Sequence, residues 1–166
     1  MITLEQFNQL DTCHAIELLS PCVALPAWAE DVTAGRPYDS VAALLAAGRH
    51  ATQGWQENQL TQALSTHPRI GEPAKDRSRE ASFSRDEQSA LAHDDAELTQ
   101  ALRKGNAHYE AKFGRVFLVR AQGRRGEDIL HLLQQRLQND VAQEIEDALA
   151  QLRQITLLRL EGIIAA

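Results

Sequence analysis

Apolar residues recur at helical spacing along the last part of the chain, at Ile145, Leu149, Leu152 and Ile155 and then over residues 158–160. An apolar residue at every third or fourth position forms one stripe on a helix, and that stripe has to be buried. Aromatic residues make up only 5% of the sequence, so the bulky side chains that favour strands are scarce. The pattern predicts an all-α fold, built as a multi-helix bundle.

Start and stop signals divide the rest of the chain into further helices. Ser40 precedes one helical stretch, and Pro68 ends another that begins near residue 56. Residues 84–113 carry a long helical pattern that predicts one bent helix or two in succession. The only β-like piece is the apolar run 117–119.

Composition limits the class of protein. With 166 residues, 43% of them hydrophobic and 24% charged, the chain fits one ordinary globular domain over residues 1–166. The net charge of −6 argues against nucleic acid and against an anionic membrane surface as partners. An anionic substrate would therefore have to be held by individual arginines.

Targeting and redox features favour the cytoplasm. The N-terminus lacks the basic and apolar regions of a signal peptide, and no apolar run approaches the roughly 20 residues of a membrane span. Two cysteines, Cys13 and Cys22, are too few for a disulfide framework. Both are predicted to be reduced, buried core residues in a reducing compartment.

His67, followed by Pro68, interrupts a helical pattern. Proline cannot continue a helix and disfavours the α conformation of the residue before it, so His67 is predicted at a helix C-terminus or just past it. The negative end of the helix dipole favours the protonated imidazole there, and Gly71 lets the chain turn. A titratable group at a chain reversal suits acid–base chemistry, although a structural histidine would give the same pattern.

The next stretch has structural and functional interpretations as well. Residues 72–83 are polar and are predicted to form an exposed loop, or alternatively a lid over a site. Ser84 and Glu87 fit the capping box S-x-x-E, which predicts a helix that begins at Ser84 and has Glu87 in its first turn. The free amides of that helix start could bind an anion. A capping bond would also hold Glu87 in one rotamer, as a catalytic carboxylate requires.

The motifs for common metal and cofactor sites are missing. The six histidines are scattered, and the one mixed cluster, at residues 93–95, fits an exposed helix surface. There is no phosphate-binding glycine loop, nucleophile elbow or Cys-x-x-Cys motif. We therefore expect no metal and no cofactor, and a nucleophilic role for Cys13 or Cys22 is disfavoured because both lie in segments predicted as core.

The combination of motifs is more specific than any one of them. His-Pro-Arg-Ile-Gly-Glu (67–72) is followed by Ser-x-x-Glu-Gln (84–88), by Asn-Ala-His-Tyr-Glu-Ala-Lys-Phe-Gly (106–114) and by Phe-Leu-Val (117–119). With residues 155–160 near the C-terminus, this set resembles the 2-oxo-4-hydroxy-4-carboxy-5-ureidoimidazoline (OHCU) decarboxylase family. The resemblance extends over nearly the whole chain.

That resemblance implies a carboxy-lyase that works without a cofactor. The family's substrate is a small anion with a carboxylate and a hydroxyl on one ring carbon beside a C=N bond, so the imine can take up the electrons left by CO2. The implied product is (S)-allantoin, in the last step of urate-to-allantoin conversion in purine catabolism.

The resemblance also implies roles for particular residues. His67 and Glu87 would be catalytic, with His67 as the acid–base group and Glu87 as the group that orients the substrate carboxylate. Arg159 would bind a carboxylate or ureido oxygen with its planar guanidinium, unless it is simply a surface arginine. The other implied substrate-binding residues are Pro68, Ser84, Gln88, Phe117, Leu118, Val119, Arg120 and Ala121. The last five would offer backbone groups.

Two other functions remain open at the level of sequence. A non-enzymatic helical interaction module would need only the acidic surface and the long C-terminal helical stretch. Another isomerase or hydrolase of ureido compounds could use His67 and Glu87 for proton transfer. A homodimer is expected from the family, and the apolar stripe of residues 141–164 allows it.

Overall fold

The computed structural model describes residues 1–71, 79–89 and 95–165, and almost all of its regular secondary structure is helical. The all-α prediction is therefore confirmed. The chain groups into two compact units. The first unit contains residues 1–63 and the described residues from 153 onward, and the second contains residues 64–152.

The first unit is formed from both ends of the chain. Its elements are β1 (Ile2–Thr3), α1 (Leu4–Gln9), α2 (Thr12–Leu19), a 3-10 helix (Ser20–Cys22), α3 (Pro26–Ala34), α4 (Val41–His50), α5 (Glu57–Leu64) through residue 63, and β2 (Ile164–Ala165). The short strands β1 and β2 pair in parallel, with Ile2 opposite Ile164. The sequence patterns gave no sign of this pairing.

Local signals set the helix boundaries in this unit. The Ser40 hydroxyl accepts the amide N–H of Ala43 at 3.0 Å, which caps α4 as its sequence predicted. The Trp28 indole donates to the carbonyl of Gly48 at 2.9 Å and joins α3 to α4.

Cys22 is buried, but Cys13 is exposed because α2 buries the face that carries Ala15 and Leu19. The prediction of two buried cysteines is thus wrong for Cys13.

The second unit contains the longer helices. They are α6 (Arg79–Glu87), α7 (Ala96–Phe113), α8 (Gly126–Arg136) and, through residue 152, α9 (Val141–Ile163). The hydrophobic core of the unit consists of Ile70, Leu98, Leu102, Tyr109, Phe117, Val119, Ala121, Ile129 and Leu133. Gly105 allows α7 to approach α8 closely, because a Cβ there would lie 2.4 Å from Cδ2 of Leu133.

Of the two alternatives predicted for residues 84–113, one bent helix or two in succession, the structure has the latter, with α6 and α7. The second ends at Gly114, whose φ of 72° is the left-handed conformation that glycine adopts readily, and whose N–H donates to the carbonyl of Glu110 at 2.9 Å. The β-like run 117–119 forms neither helix nor strand, although all three side chains are buried.

Helix α9 takes part in both units. The apolar stripe predicted from its sequence is confirmed, since Leu149, Leu152, Ile155, Leu160 and Ile163 are all buried. Along the same helix, Ile145 is half-buried and Val141 is exposed. Within the part of the chain that the structure describes, no helix has the length and apolar character needed to cross a membrane.

Candidate active site

His67 lies three residues beyond the end of α5, where its backbone N–H donates to the carbonyl of Leu64 at 3.2 Å. The prediction that His67 lies just past a helix C-terminus is confirmed. The ring is half-buried and its Nε2 atom is buried. Gly71 completes the turn with a φ of 85°, a conformation that strains any residue with a side chain. We call residues 65–71 the His67 turn.

The His67 turn is tied to both ends of α6. At the start of the helix, the hydroxyl of Thr66 donates to Oε1 of Glu80 at 2.5 Å. At the end of the helix, the side-chain oxygen of Gln88 accepts the backbone N–H of Gly71 at 3.0 Å. Gln88 directly follows Glu87, the last residue of α6, so the two segments that carry His67 and Glu87 adjoin.

The position of Ser84 and Glu87 within α6 differs from the prediction. Helix α6 begins at Arg79, so Ser84 lies inside it and Glu87 is its last residue. The backbone carbonyl of Ser84 accepts the N–H of Gln88 at 3.1 Å, as an ordinary helical residue does. The capping box at Ser84, the carboxylate in the first turn and the anion site at that helix start are therefore all wrong.

The reason is that tertiary contacts outweigh a short local motif. A capping box is worth about 1 kcal/mol, and here the Thr66–Glu80 bond and the buried Ala81 and Ser84 favour a helix that begins earlier. Residues 79–83 are helical as a result and are not the predicted loop. The rest of that loop, residues 72–78, and the proposed lid lie outside the described residues.

Helix α7 holds the other side of the His67 turn. The Asn106 side chain is 3% exposed, and its Nδ2 donates to the carbonyl of Ile70 at 3.0 Å. Arg69 forms a two-pronged ion pair with Glu110, with its Nε 3.0 Å from Oε2 and its Nη2 2.9 Å from Oε1. Both partners come from the motif 106–114, which the sequence had marked without assigning a role.

The predicted substrate-binding segment Phe117–Ala121 belongs to the same unit. The side chains of Phe117, Val119 and Ala121 share the hydrophobic core with Ile70 of the His67 turn. Because those three side chains are buried, Phe117, Val119 and Ala121 can offer a ligand only backbone groups, as the resemblance implied, whereas the Arg120 side chain is half-buried. Among the described residues, the N–H and C=O of Val119 make no hydrogen bond.

A buried ionic network lies behind this segment. The Arg136 guanidinium pairs with the Glu144 carboxylate through Nε, at 2.9 Å from Oε1, and through Nη2. Its Nη1 donates to the carbonyl of Leu118 at 2.5 Å, and its Cζ lies 4.6 Å from the centre of the Phe117 ring. Arg136 is 6% exposed and Glu144 is 2% exposed.

Two further side chains donate to Glu144. The Tyr109 hydroxyl lies 2.5 Å from Oε1, and the Asn139 amide nitrogen lies 3.0 Å from Oε2. Burial and the hydrogen bond to this carboxylate raise the pKa of Tyr109 well above its usual value, so the phenol stays protonated. The Glu144 carboxylate is thus neutralised by one cation and held by two neutral donors. None of these residues was predicted as part of the site.

A polar cleft of about 330 Å³ opens beside the network, between α8, α9 and the chain at Val119. Arg124 and Gln151 line it, and the Arg124 Nη1 donates to the Gln151 side-chain oxygen at 3.0 Å. Burial, together with the neighbouring cations Arg120 and Arg136, lowers the pKa of Arg124. None of the substrate-binding residues predicted from sequence lines the cleft except Val119.

Arg159 lies in the first unit and is buried, with 2% of its surface exposed. The surface-arginine alternative is therefore wrong. Its Nη1 donates to the carbonyl of Pro21 at 3.3 Å and approaches that of Cys22 at 3.5 Å. The guanidinium thus joins α9 to the 3-10 helix. This contact between distant residues of the sequence had no signal in the local pattern.

Within the ranges that the structure describes, no group of three or more histidine, cysteine, aspartate or glutamate side chains could hold a metal ion. The cluster at residues 93–95 lies largely outside those ranges.

The structure is thus a small all-α protein in which a hydrogen bond joins a histidine-bearing turn to a helix end that carries a carboxylate. The model of the OHCU decarboxylase family matches residues 8–161, and the chain belongs to that family. The resemblance inferred from the motifs is confirmed.

Individual relatives agree with this assignment. The chain is 27% identical, over 98% of its length, to the uric acid degradation bifunctional protein of Bacillus sp. strain TB-90, and it covers 32% of that protein. It is 27% identical to the 2-oxo-4-hydroxy-4-carboxy-5-ureidoimidazoline decarboxylase of Haloferax volcanii, with 96% of this chain and 94% of that protein covered. The chain spans about a third of the length of the bifunctional relatives that it matches.

A solved structure shows the same fold. An OHCU decarboxylase crystallised in the presence of (S)-allantoin superposes with a TM-score of 0.68 at 25% identity. The match covers 87% of this chain and 94% of that one.

Proposed function

We propose that this protein decarboxylates 2-oxo-4-hydroxy-4-carboxy-5-ureidoimidazoline to (S)-allantoin and CO2 without a cofactor, as the last step of urate-to-allantoin conversion. Family membership over residues 8–161 supports the proposal. The structural observation that carries it is the hydrogen bond from Gly71 to Gln88, which joins the His67 turn to the end of α6 that bears Glu87.

The chemistry needs proton transfer and orientation. When the bond to CO2 breaks, its electron pair forms a C=C bond with the neighbouring ring carbon, and the imine nitrogen takes up the displaced pair and a proton. The resulting enol then loses its hydroxyl proton, and the neighbouring ring carbon, which came from the C=N bond, gains a proton. The carbon that lost CO2 thereby becomes the carbonyl carbon of allantoin. Because the substrate supplies its own electron sink, the protein has to place the carboxylate out of the ring plane and protonate one face.

His67 and Glu87 are the proposed catalytic groups. A half-buried imidazole at a fixed turn suits the transfer of a proton to and from the ring. Glu87 would accept a hydrogen bond from the substrate hydroxyl and hold the carboxylate in its reactive orientation. The Gly71 N–H donates to the side-chain oxygen of Gln88 and so fixes the residue next to Glu87, whereas the wrongly predicted capping box would have held the Glu87 rotamer itself.

The remaining predicted site residues are proposed to bind the substrate, some through side chains and some through backbone groups. Pro68 would form a wall, and the planar guanidinium of Arg159 would bind a carboxylate or ureido oxygen. Ser84 and Gln88 are both buried, and the side-chain oxygen of Gln88 already accepts a hydrogen bond from Gly71. In the segment Phe117–Ala121, the peptide groups of Val119 are the ones we expect to contact the substrate.

The test of the activity is direct. We expect the protein, added to freshly oxidised and hydrated urate, to speed CO2 release and to give optically active (S)-allantoin. Release of CO2 at the uncatalysed rate with racemic allantoin would overturn the proposal and favour the interaction module. Catalysed turnover of another ureido compound alone would favour the isomerase or hydrolase.

Matched variants test the catalytic residues. We expect His67→Ala and Glu87→Gln to abolish measurable decarboxylation while the circular dichroism spectrum stays unchanged. The controls are His108→Ala and Glu97→Gln, which change exposed residues of α7 and should leave the rate near that of the wild type. A catalytic variant that keeps near-normal turnover would refute its assignment. For Arg159→Lys we expect a raised KM, because one ammonium cannot reproduce two-pronged contacts.

Three further features are proposed from the sequence and the family. We propose a cytoplasmic location, a homodimer and a single domain over residues 1–166. Since Leu149, Leu152, Ile155 and Leu160 of α9 are buried within the chain, a dimer would have to use other surfaces. Light scattering of the purified protein would measure its mass in solution, and a monomer would refute the dimer.

A further inference from the structure

Two side chains hold the backbone on either side of Val119. Before that residue, the Leu118 carbonyl accepts a hydrogen bond from Nη1 of Arg136. After it, the backbone N–H of Arg120 donates to the side-chain oxygen of Gln151 at 2.9 Å. Arg136 is the last residue of α8 and Gln151 lies on α9, and both line the polar cleft beside Val119, so the two restraints come from the cleft side of the segment.

These two bonds determine where the peptide groups of Val119 point. The peptide bonds here are trans, and in a trans peptide the C=O and the N–H point in opposite directions. Because Arg136 holds the carbonyl of the peptide before Val119, the N–H of Val119 points away from Arg136. Because Gln151 holds the N–H of the peptide after Val119, the carbonyl of Val119 points away from Gln151.

The result is a donor and an acceptor on one residue, both directed away from α8 and α9. Neither group has a hydrogen-bond partner among the described residues, although the side chain of Val119 is only 4% exposed. A buried backbone polar group without a partner is costly, and most such groups are paired. One donor beside one acceptor matches the edge of a ureido or amide group, which presents the complementary C=O and N–H.

We propose that Arg136 and Gln151 are positioning residues that aim the peptide groups of Val119 at a ureido or amide edge of the substrate. The proposal rests on the proposed function. Glu144, Tyr109 and Asn139 serve it indirectly, since the bonds that they make fix the orientation of the Arg136 guanidinium. Both would act on the reaction through Val119, so they are positioning residues and not catalytic ones.

Gln151 gives the cleaner test because it is neutral and only half-buried, so its replacement leaves no buried charge. We expect Gln151→Met to raise KM about tenfold with kcat nearly unchanged, since the change weakens binding and leaves His67 and Glu87 alone. Gln151→Glu keeps an acceptor oxygen and should restore a KM close to that of the wild type. The matched control is Gln143→Met, an exposed glutamine of the same helix whose side chain bonds only Asp147.

This split separates positioning from a merely structural role. A variant that is partly unfolded has fewer active molecules, so its apparent kcat falls while its KM is unchanged. Arg136→Lys adds a second variant, which keeps the positive charge beside Glu144 but cannot also reach Leu118 in the same geometry. We expect it to raise KM as well, provided that circular dichroism shows a folded protein. A KM that stays at the wild-type value in Gln151→Met and in folded Arg136→Lys would overturn the proposal.

Amide hydrogen exchange tests the geometry independently of activity. In Gln151→Met, the exchange rate of the Arg120 amide should rise about tenfold because that N–H loses its acceptor. The same amide should be unaffected in Gln143→Met. If the wild type fails to decarboxylate, the proposed function fails, and the exchange data still decide whether Gln151 holds the segment. An Arg120 amide that exchanges equally in both variants would overturn the positioning role.

Discussion

Two irregular segments of the second unit carry most of the candidate site residues, and they are held by different chemistry. The His67 turn is held by an amide side chain, a glutamine and the half-exposed ion pair Arg69–Glu110. The segment Phe117–Ala121 is held by the buried pair Arg136–Glu144 and by Gln151. Neutral bonds and exposed charges hold the first segment, and a desolvated charge holds the second.

The stability of each segment should therefore depend on a different kind of contact. An exposed ion pair adds little to the free energy of unfolding because water screens its charges. In a buried pair, each charge has lost its hydration, and only the opposite charge offsets that cost. Removal of one charge of the pair Arg69–Glu110 at the His67 turn should therefore change the free energy of unfolding little. Removal of one charge of the pair Arg136–Glu144 behind residues 117–121 should lower it strongly. The contrast between the two segments can be tested at three positions.

The largest effect is expected at the buried pair. Glu144→Gln leaves the Arg136 cation without its counter-charge and should lower the free energy of unfolding by about 3–5 kcal/mol, measured by urea denaturation. Glu146→Gln, an exposed position on the same helix, should change it by less than about 0.5 kcal/mol. A loss at Glu144 no larger than that of the control would remove the contrast between the two segments.

An intermediate effect is expected at Asn106. The variant Asn106→Ala leaves the buried carbonyl of Ile70 without a donor, and should cost about 1–3 kcal/mol by the same measurement. The side-chain oxygen of Asn106 is itself buried without a hydrogen-bond partner in the described part of the chain, so its removal offsets some of that cost. A cost equal to that of Glu144→Gln would show that a neutral anchor can matter as much as an ionic one.

The smallest effect is expected at the exposed pair. A double-mutant cycle of Arg69→Ala and Glu110→Ala should give a coupling of about 0.2–1 kcal/mol. That coupling should fall when the salt concentration rises to 1 M, where the screening length is about 3 Å. A coupling above about 3 kcal/mol, or one that salt leaves unchanged, would place this pair in the same class as Arg136–Glu144.

The sequence predicted the helical fold well because helix signals are local. The stripe of α9, the cap at Ser40 and the stop after α5 depend on residues within one or two turns, and each is borne out by the structure. The same locality made Ser84 misleading. Four residues matched a capping box, but contacts from Thr66 and the buried face of α6 start the helix at Arg79.

The candidate site was predictable only in part. The motifs marked His67 and Glu87, and the family resemblance that they carried is correct. The local sequence pattern indicated no role for Gln151, Arg136 or Glu144, because their partners are distant in the chain. Gln151 is 31 residues from Arg120, Arg136 is 18 residues from Leu118, and Glu144 is 8 residues from Arg136. Contacts of that kind depend on how helices pack.

The sequence by itself determined the family, the helical class and the turn at His67, since each follows from local pattern and residue type. Only the tertiary structure decided that α6 ends at Glu87 beside that turn, that Arg159 is buried, and that Val119 is held between Arg136 and Gln151. The physical reason is that hydrogen bonds and burial depend on distance in space, and a linear pattern records only distance along the chain.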